Sequence, residues 1–189
     1  MKKIKILFFT IILFIVGCGD TSSYVDDDVY SKEYDMWVYL TPENSYDIKY
    51  VVYENGEQTD SFYETTKVLE TGAVQRVSGD EVTTLIPYDD IIKKEESDGT
   101  IIDIQRHVKI GDSDIFHSSS SNLFCKADDY FLSIVIKDIE FYQVMKVSCT
   151  TDLNKKDIYY GYNEGIVAIH KEENGLITDI VKVDEIRLQ

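Results

Sequence analysis

Short runs of β-branched and aromatic residues, separated by turn residues, fill the sequence from Met36 onward and most constrain the fold. No window of about 11 residues there holds the 3.6-residue period of an amphipathic helix. Strands that follow one another so closely leave no room for crossover helices, so the sheet should be mainly antiparallel. We predict a single all-β domain with little helix over residues 35–189. It is expected to be an antiparallel meander that forms a curved sheet, a half-barrel or a sandwich.

Alternation and turn residues locate individual strands within this domain. Every second residue from Tyr46 to Val52 is apolar or aromatic, which predicts one buried strand face. The following Asn55-Gly56 predicts a tight hairpin turn to a second strand over residues 59–69. Four apolar residues, interrupted by Arg106, predict another buried face: Ile102, Ile104, Val108 and Ile110.

The first 17 residues differ from the rest of the chain. Residues 1–5 include three lysines and no acid, and an apolar run from Ile6 to Val16 follows. The run is shorter than the roughly 20 residues of a membrane-spanning helix, and it ends at the small Gly17. We therefore predict a secretory signal peptide over residues 1–17. The alternative is an uncleaved N-terminal anchor.

Ile15-Val16-Gly17-Cys18 resembles the lipobox of bacterial lipoproteins, in which branched apolar residues and a small residue precede the acceptor cysteine. Ile15 replaces the commoner leucine of that family. The resemblance implies a diacylglyceryl group on the Cys18 thiol, cleavage before Cys18, and a further acyl chain such as palmitate on the new amine. Two or more chains anchor a protein stably. Gly19 stands where an aspartate would favour inner-membrane retention in enterobacteria, which implies the outer membrane, facing the periplasm.

We predict that residues 18–34 are the lipidated N-terminus and a flexible acidic tether, since they include few core-forming residues. Asp26-Asp27-Asp28 lacks the alternating spacing and the glycine of a calcium loop, so a solvated charge run is favoured.

The last third of the chain resembles the C-terminal part of uncharacterised bacterial lipoproteins. Residues 141–149 follow an aromatic-x-x-Val-x-x-Val-x-Cys pattern that ends at Cys149, and residues 159–167 form a Tyr-Tyr-x-x-x-x-Gly-Ile-Val stretch. That family brings no known activity, so the resemblance supports the fold more than a function.

With Cys18 assigned to lipid, Cys125 and Cys149 remain, and an oxidising compartment favours a structural disulfide between them. A hairpin with a three-residue loop centred on Lys137 would place them directly opposite. The apolar phases of the two strands favour a different register, which needs a bulge near Asp128-Asp129. A catalytic thiol is the alternative, but no Cys-x-x-Cys spacing and no partnered histidine accompany it.

No motif predicts an active site or a metal site. His107, His117 and His170 lack the spacing of a metal cluster. His117 precedes residues 118–121, all serine, but no Gly-x-Ser-x-Gly elbow accompanies them, which favours a polar loop. Paired acids could serve a glycosidase, although any acidic protein contains such pairs. We expect no enzymatic activity, no metal and no cofactor.

The 14 tyrosines are the most distinctive feature of the composition. Most should be core and cross-strand residues, but the cluster Tyr159, Tyr160 and Tyr162 is a candidate binding surface. The net charge of -16 disfavours nucleic-acid partners. The leading hypothesis is a lipid-anchored, non-enzymatic binding or scaffold module that presents a binding surface to envelope proteins or glycans. The alternative is a periplasmic carrier or chaperone whose half-barrel encloses a lipid or other apolar ligand.

Overall fold

The structure, a computed structural model, describes residues 28–118, 123–151 and 154–187. The signal peptide, Cys18 and most of the predicted tether lie outside these residues. Two short helices are present in the described part, α1 (Asp28–Ser31) and α2 (Met36–Leu40). The strands are β1 (Glu33–Asp35), β2 (Tyr46–Glu54), β3 (Glu57–Val68), β4 (Val74–Ser78), β5 (Glu81–Pro87), β6 (Ile91–Glu96), β7 (Ile101–Gln105), β8 (His107–Lys109), β9 (Phe116–Ser118), β10 (Phe124–Ile136), β11 (Ile139–Thr150), β12 (Asn154–Gly161), β13 (Gly165–Glu173) and β14 (Leu176–Arg187). The all-β prediction is confirmed.

Twelve of the strands form one antiparallel sheet, in the order β10-β11-β12-β13-β14-β2-β3-β4-β5-β6-β7-β9. Neighbours are consecutive in the chain except at two places: β14 pairs with β2, and β9 pairs with β7 because β8 leaves the sheet to pair with β1. The predicted antiparallel meander is therefore confirmed.

The two ends of this sheet approach each other through the segment of residues 111–115. The Ile115 amide donates to the Cys125 carbonyl at 3.1 Å, and the Gln105 amide donates to the Ile115 carbonyl at 2.8 Å. The backbone of one residue thus joins the end of β7 to β10. The sheet is therefore nearly closed and barrel-like.

The prediction of a β2–β3 hairpin also holds. Tyr46, Ile48 and Tyr50 are buried on one face of β2. The Asn55-Gly56 turn joins β2 to β3, with φ of 49° and 90°, the left-handed pair that a two-residue turn requires.

Arg106 interrupts a buried apolar face because it makes a polar junction at the start of α2. Ile102, Ile104, Val108 and Ile110 are all buried, as predicted, but Arg106 separates β7 from β8 between them. Its Nε and Nη2 donate to Asp35 at 3.1 and 2.9 Å, and its Nη1 donates to the Tyr88 carbonyl at 2.8 Å. Its carbonyl accepts the Met36 amide at 2.7 Å.

Helix α2 lies in the core of the domain, and the sequence did not predict it. Asp35 caps it by accepting the Trp37 amide at 2.9 Å. Burial alone would raise the pKa of Asp35, but the hydrogen bonds from Arg106 and Trp37 outweigh burial and lower it. Met36, Tyr39 and Leu40 are buried against side chains of strands β4 to β12. A single helical turn therefore fills the space between the two halves of the sheet.

The predicted tether gives way to folded structure before residue 34. Helix α1 begins at Asp28, and β1 pairs with β8 from Glu33. The Tyr34 side chain is 3% exposed, and its ring lies 5.1 Å from that of Tyr130. Residues 28–34 therefore belong to the domain because an aromatic ring inserts into its core.

Cys125 and Cys149 are opposite each other in the β10–β11 hairpin, and their sulfur atoms are bonded at 2.13 Å. The hairpin turns at Lys137-Asp138, a two-residue loop rather than one of three residues. A register shift between Ala127 and Asp129 brings Cys125 opposite Cys149. The structure thus has the second of the two predicted registers, the one that requires a bulge at Asp128.

The far half of this hairpin folds back over the outer face of the sheet. Lys137 lies 3.1 Å from Asp179 of β14 and stacks over the ring of Tyr53 of β2, 5.0 Å from its centroid. Phe141 packs beside Val181 in a second apolar cluster beneath the hairpin. A short second layer therefore covers β13, β14 and β2.

Candidate functional site

Tyr159, Tyr160 and Tyr162 do not form one binding surface, so this prediction is corrected. Tyr160 is 4% exposed and belongs to the main core. Tyr159 belongs to the opposite face of β12, where its ring packs against Phe131 at 6.5 Å. Tyr162 is 43% exposed and stacks edge-on against Tyr39 at 5.7 Å. Alternation along the strand separates the first two, and the turn after Gly161 separates the third.

A cavity of about 150 Å³ lies inside the sheet, next to the C-terminal end of α2. Its walls come from both halves of the meander. Most of the lining side chains are apolar: Leu40, Leu85, Ile104, Phe116, Ile158 and Ile166. A broader depression of about 530 Å³ lies elsewhere, beside Phe141 and Glu164, and opens widely to solvent. The interior cavity is therefore the more enclosed of these two sites.

Three cationic side chains line the same cavity, Arg76, Lys94 and Lys156. The Arg76 guanidinium donates to the carbonyl of Leu40, the last residue of α2, and is 3.9 Å from Glu64. Lys94 forms an ion pair with Glu96. The cavity therefore combines apolar walls with positive charge, a pattern that most core cavities lack.

Lys156 differs from the other two cations. Among the described residues it has no hydrogen-bond or ion-pair partner within the distance limits of such contacts. Burial lowers the pKa of Lys156, and the nearby charges of Lys94 and Lys171 lower it further, although the charge of Glu96 opposes the change. A partly buried cation that makes no ion pair loses hydration without full compensation, so the protonated form of this side chain is disfavoured.

The Tyr160 hydroxyl supplies a further polar group beside the cavity. Burial raises the pKa of Tyr160 to about 12, although the positive charge of Arg76 opposes the rise. This hydroxyl stays neutral over the physiological range and is able to donate a hydrogen bond.

The sequence analysis missed Lys156, although a signal was present. Lys156, Ile158 and Tyr160 occupy alternate positions of one strand, and the latter two are buried. A lysine in phase with a buried apolar face is the kind of irregularity that indicates a polar interior site.

The other candidate groups lie apart from this cavity. The histidines form separate pairs with acids: His107 with Glu33, His117 with Asp114, and His170 with Asp179. No group of three or more His, Cys, Asp or Glu side chains in the described ranges is placed to hold a metal ion. Serines 119–121 lie outside the described residues.

Asp128, one of the paired acids considered for catalysis, has structural partners. Lys146 lies 3.0 Å from Asp128 and 3.2 Å from Asp157, and the Ser148 hydroxyl is within hydrogen-bond distance of both carboxylates, at 3.0 and 2.7 Å. Burial would raise the pKa of Asp128, but these hydrogen bonds and the charge of Lys146 lower it. This network joins β10, β11 and β12 at the bulge.

The raised pKa values of three core tyrosines predict that the fold loses stability sharply in alkali. Burial raises the pKa of Tyr34 and Tyr160 to about 12, and it also raises that of Tyr39. Because the fold favours their neutral form, their contribution is complete below pH about 10 and is lost as the pH rises through about 12. We expect steep unfolding above pH about 11 in circular dichroism, together with a late rise in tyrosinate absorbance. Ionisation of all tyrosines before any loss of structure would contradict this.

The described helices lack the length and apolar content needed to cross a membrane. The fold defines the chain as an all-β protein in which a nearly closed meander surrounds a single helical turn. Neither a protein-family model nor a curated protein matches the sequence. The fold is similar to a crystal structure from Bacteroides fragilis, of a protein described as exported and as having a YmcC-like fold. The TM-score is 0.50, at 10% identity, over 78% of this chain and 98% of that one. The likeness concerns the fold alone.

Proposed function

We propose that this chain is an exported, non-enzymatic binding module that a lipid on Cys18 attaches to the bacterial outer membrane. The lipobox-like sequence at residues 15–18 supports the anchor. The fold shared with a protein described as exported supports export. The Cys125–Cys149 bond fits an oxidising compartment.

The observation that favours a binding module over a lipid carrier is the filled interior of the sheet. Helix α2 and the aromatic core occupy most of that space and leave about 150 Å³. Pockets for drug-sized ligands measure about 300–1,000 Å³, and an acyl chain of a membrane lipid needs comparable room. A macromolecular partner would therefore meet the outside of the sheet.

The outward side of the β10–β11 hairpin offers such a surface. Leu132, Val135 and Tyr142 are 49%, 62% and 57% exposed, which is unusual for three large side chains of one hairpin. Exposed apolar and aromatic side chains of this kind are typical of interaction surfaces.

The anchor is tested by changing Cys18 to alanine. We expect the wild-type chain to fractionate with the membrane and to carry the mass of a chain that begins at acylated Cys18. Cys18→Ala should accumulate as a full-length precursor without acyl groups, because the thiol that accepts the lipid is missing. Ser22→Ala, a nearby change outside the motif, should behave as wild type. Normal processing and membrane attachment of Cys18→Ala would disprove the anchor.

The choice between module and carrier is tested by native mass spectrometry of the mature protein from its own envelope. A module should show the mass of the polypeptide and its covalent acyl chains, alone or with a second protein. A stoichiometric adduct the size of a phospholipid would support the carrier instead.

A further inference from the structure

The charges around the interior cavity leave one cation unbalanced. Arg76 lies near Glu64, Lys94 pairs with Glu96, and Lys171, which faces Lys156 across the β12–β13 pair, pairs with Glu173. Lys156 makes no ion pair among the described residues, and Glu96, the acid whose charge acts on it, is already paired with Lys94. These four cations face three carboxylates, those of Glu64, Glu96 and Glu173, so one monoanion would balance the remaining positive charge.

The size and walls of the cavity define what such an anion must look like. A cavity of about 150 Å³ lined by leucine, isoleucine and phenylalanine holds a molecule of the size of benzene. This cavity has the same volume, and Leu85, Ile104 and Phe116 are among its wall residues. Its ligand therefore needs a compact apolar body of five to seven carbons, roughly that of benzene.

We propose that the interior cavity binds a small monocarboxylate, with its carboxylate on Lys156 and a short branched or aromatic body against the apolar walls. Tyr160 also lines the cavity, and its hydroxyl is a second donor for the carboxylate. Phosphate fits poorly, because it offers no apolar surface to these walls. The proposal goes beyond the binding module above and does not depend on the lipid anchor.

The electrostatics of Lys156 agree with this assignment. Burial and the charges of Lys94 and Lys171 lower its pKa, although the charge of Glu96 opposes the change. A carboxylate in contact would raise that pKa again, because an opposite charge favours the protonated amine. Binding in mildly alkaline buffer should therefore take up protons, which calorimetry in buffers of different ionisation enthalpy detects.

The test is a titration of the full-length chain, purified in mild detergent, with benzoate, 3-methylbutanoate, benzamide and inorganic phosphate. Saturation-transfer NMR and calorimetry should show saturable binding of at least one of the two carboxylates. Benzamide, the uncharged analogue of benzoate, should bind at least about tenfold more weakly, since charge-assisted hydrogen bonds contribute that much or more. Phosphate should not bind.

Lys156→Met locates the binding and keeps the test falsifiable. This variant should lose carboxylate affinity about tenfold or more. Without ligand it should melt a few degrees higher than wild type, because it removes a partly buried cation that makes no ion pair with a described residue. Lys155→Met is the matched control: Lys155 is the neighbouring, 60% exposed lysine of the same strand, and its change should leave affinity intact.

Three outcomes would overturn the proposal. The first is equal binding of carboxylate to wild type and Lys156→Met. The second is absence of binding by both benzoate and 3-methylbutanoate. The third is destabilisation of unliganded Lys156→Met, which would assign Lys156 a structural role. The mass and fractionation experiments on Cys18 remain informative in each case, so failure of the cavity and failure of the anchor are distinguishable.

Discussion

Replacing Cys125 and Cys149 together by alanine should lower the free energy of unfolding by about 3.5 kcal/mol, from the chain entropy of the loop they close. The two cysteines are 24 residues apart in the chain. They are 0% and 3% exposed, so the bond lies within the main core. The Cys125 carbonyl also accepts the Ile115 amide that closes the sheet, so the bond holds the strand on which closure depends.

Urea unfolding followed by circular dichroism measures this effect. The single variant Cys125→Ala should lose nearly as much stability as the double variant, because either change removes the bond. Reduction of the wild-type protein should reproduce the loss. Stability within about 1 kcal/mol of wild type for the double variant would contradict a structural role for the bond.

Shortening Met36 to alanine should cost about 3 kcal/mol, within the 2–5 kcal/mol range of buried large-to-small changes. Met36 is 0% exposed and is the first residue of α2, the helical turn at the centre of the sheet. The strands around it are tied into a nearly closed sheet and cannot collapse onto the space that the side chain leaves. A residual cavity, with its added cost, is therefore expected.

Met36→Leu is the matched control for this variant. It keeps nearly the whole volume of the side chain, and such exchanges cost less than about 1.5 kcal/mol. The same urea titration should therefore separate the two variants by about 1.5 kcal/mol or more. Equal losses would mean that Met36 matters through the shape of its side chain rather than through the volume it fills.

The strands and their antiparallel meander were predictable because the information for them is local. The β2–β3 turn follows from Asn55-Gly56, whose left-handed backbone suits a two-residue hairpin. The bulge at Asp128 follows from the phases of the apolar residues on β10 and β11. Turn chemistry and alternation act over a few residues, so a single sequence displays them.

Closure of the sheet and the central helix were not predictable in the same way. Closure rests on backbone hydrogen bonds of Ile115, and no side-chain pattern encodes those bonds. Helix α2 spans five residues, too few to display a helical period, and its apolar and β-branched residues also suit a strand. The Asp35 cap was its one local signal.

The interior site was hidden from the sequence for a related reason. Neighbouring tyrosines suggested one surface, but strand alternation placed Tyr159 and Tyr160 on opposite faces. Lys156 stands out because, unlike Lys94 and Lys171, it makes no ion pair with a described carboxylate. Only the folded chain displays this difference.

The pairing of β14 with β2 carries a consequence for how the chain reaches this fold. It brings Arg187 opposite Tyr46, the longest separation between paired strands in the sheet. Contacts between residues so far apart form slowly, since a long loop must be ordered first. Until residues 176–187 have been synthesised, β2 and β13 each present an open edge, and such edges pair readily with other chains. The sheet therefore keeps edges that are prone to aggregation until β14 has been made.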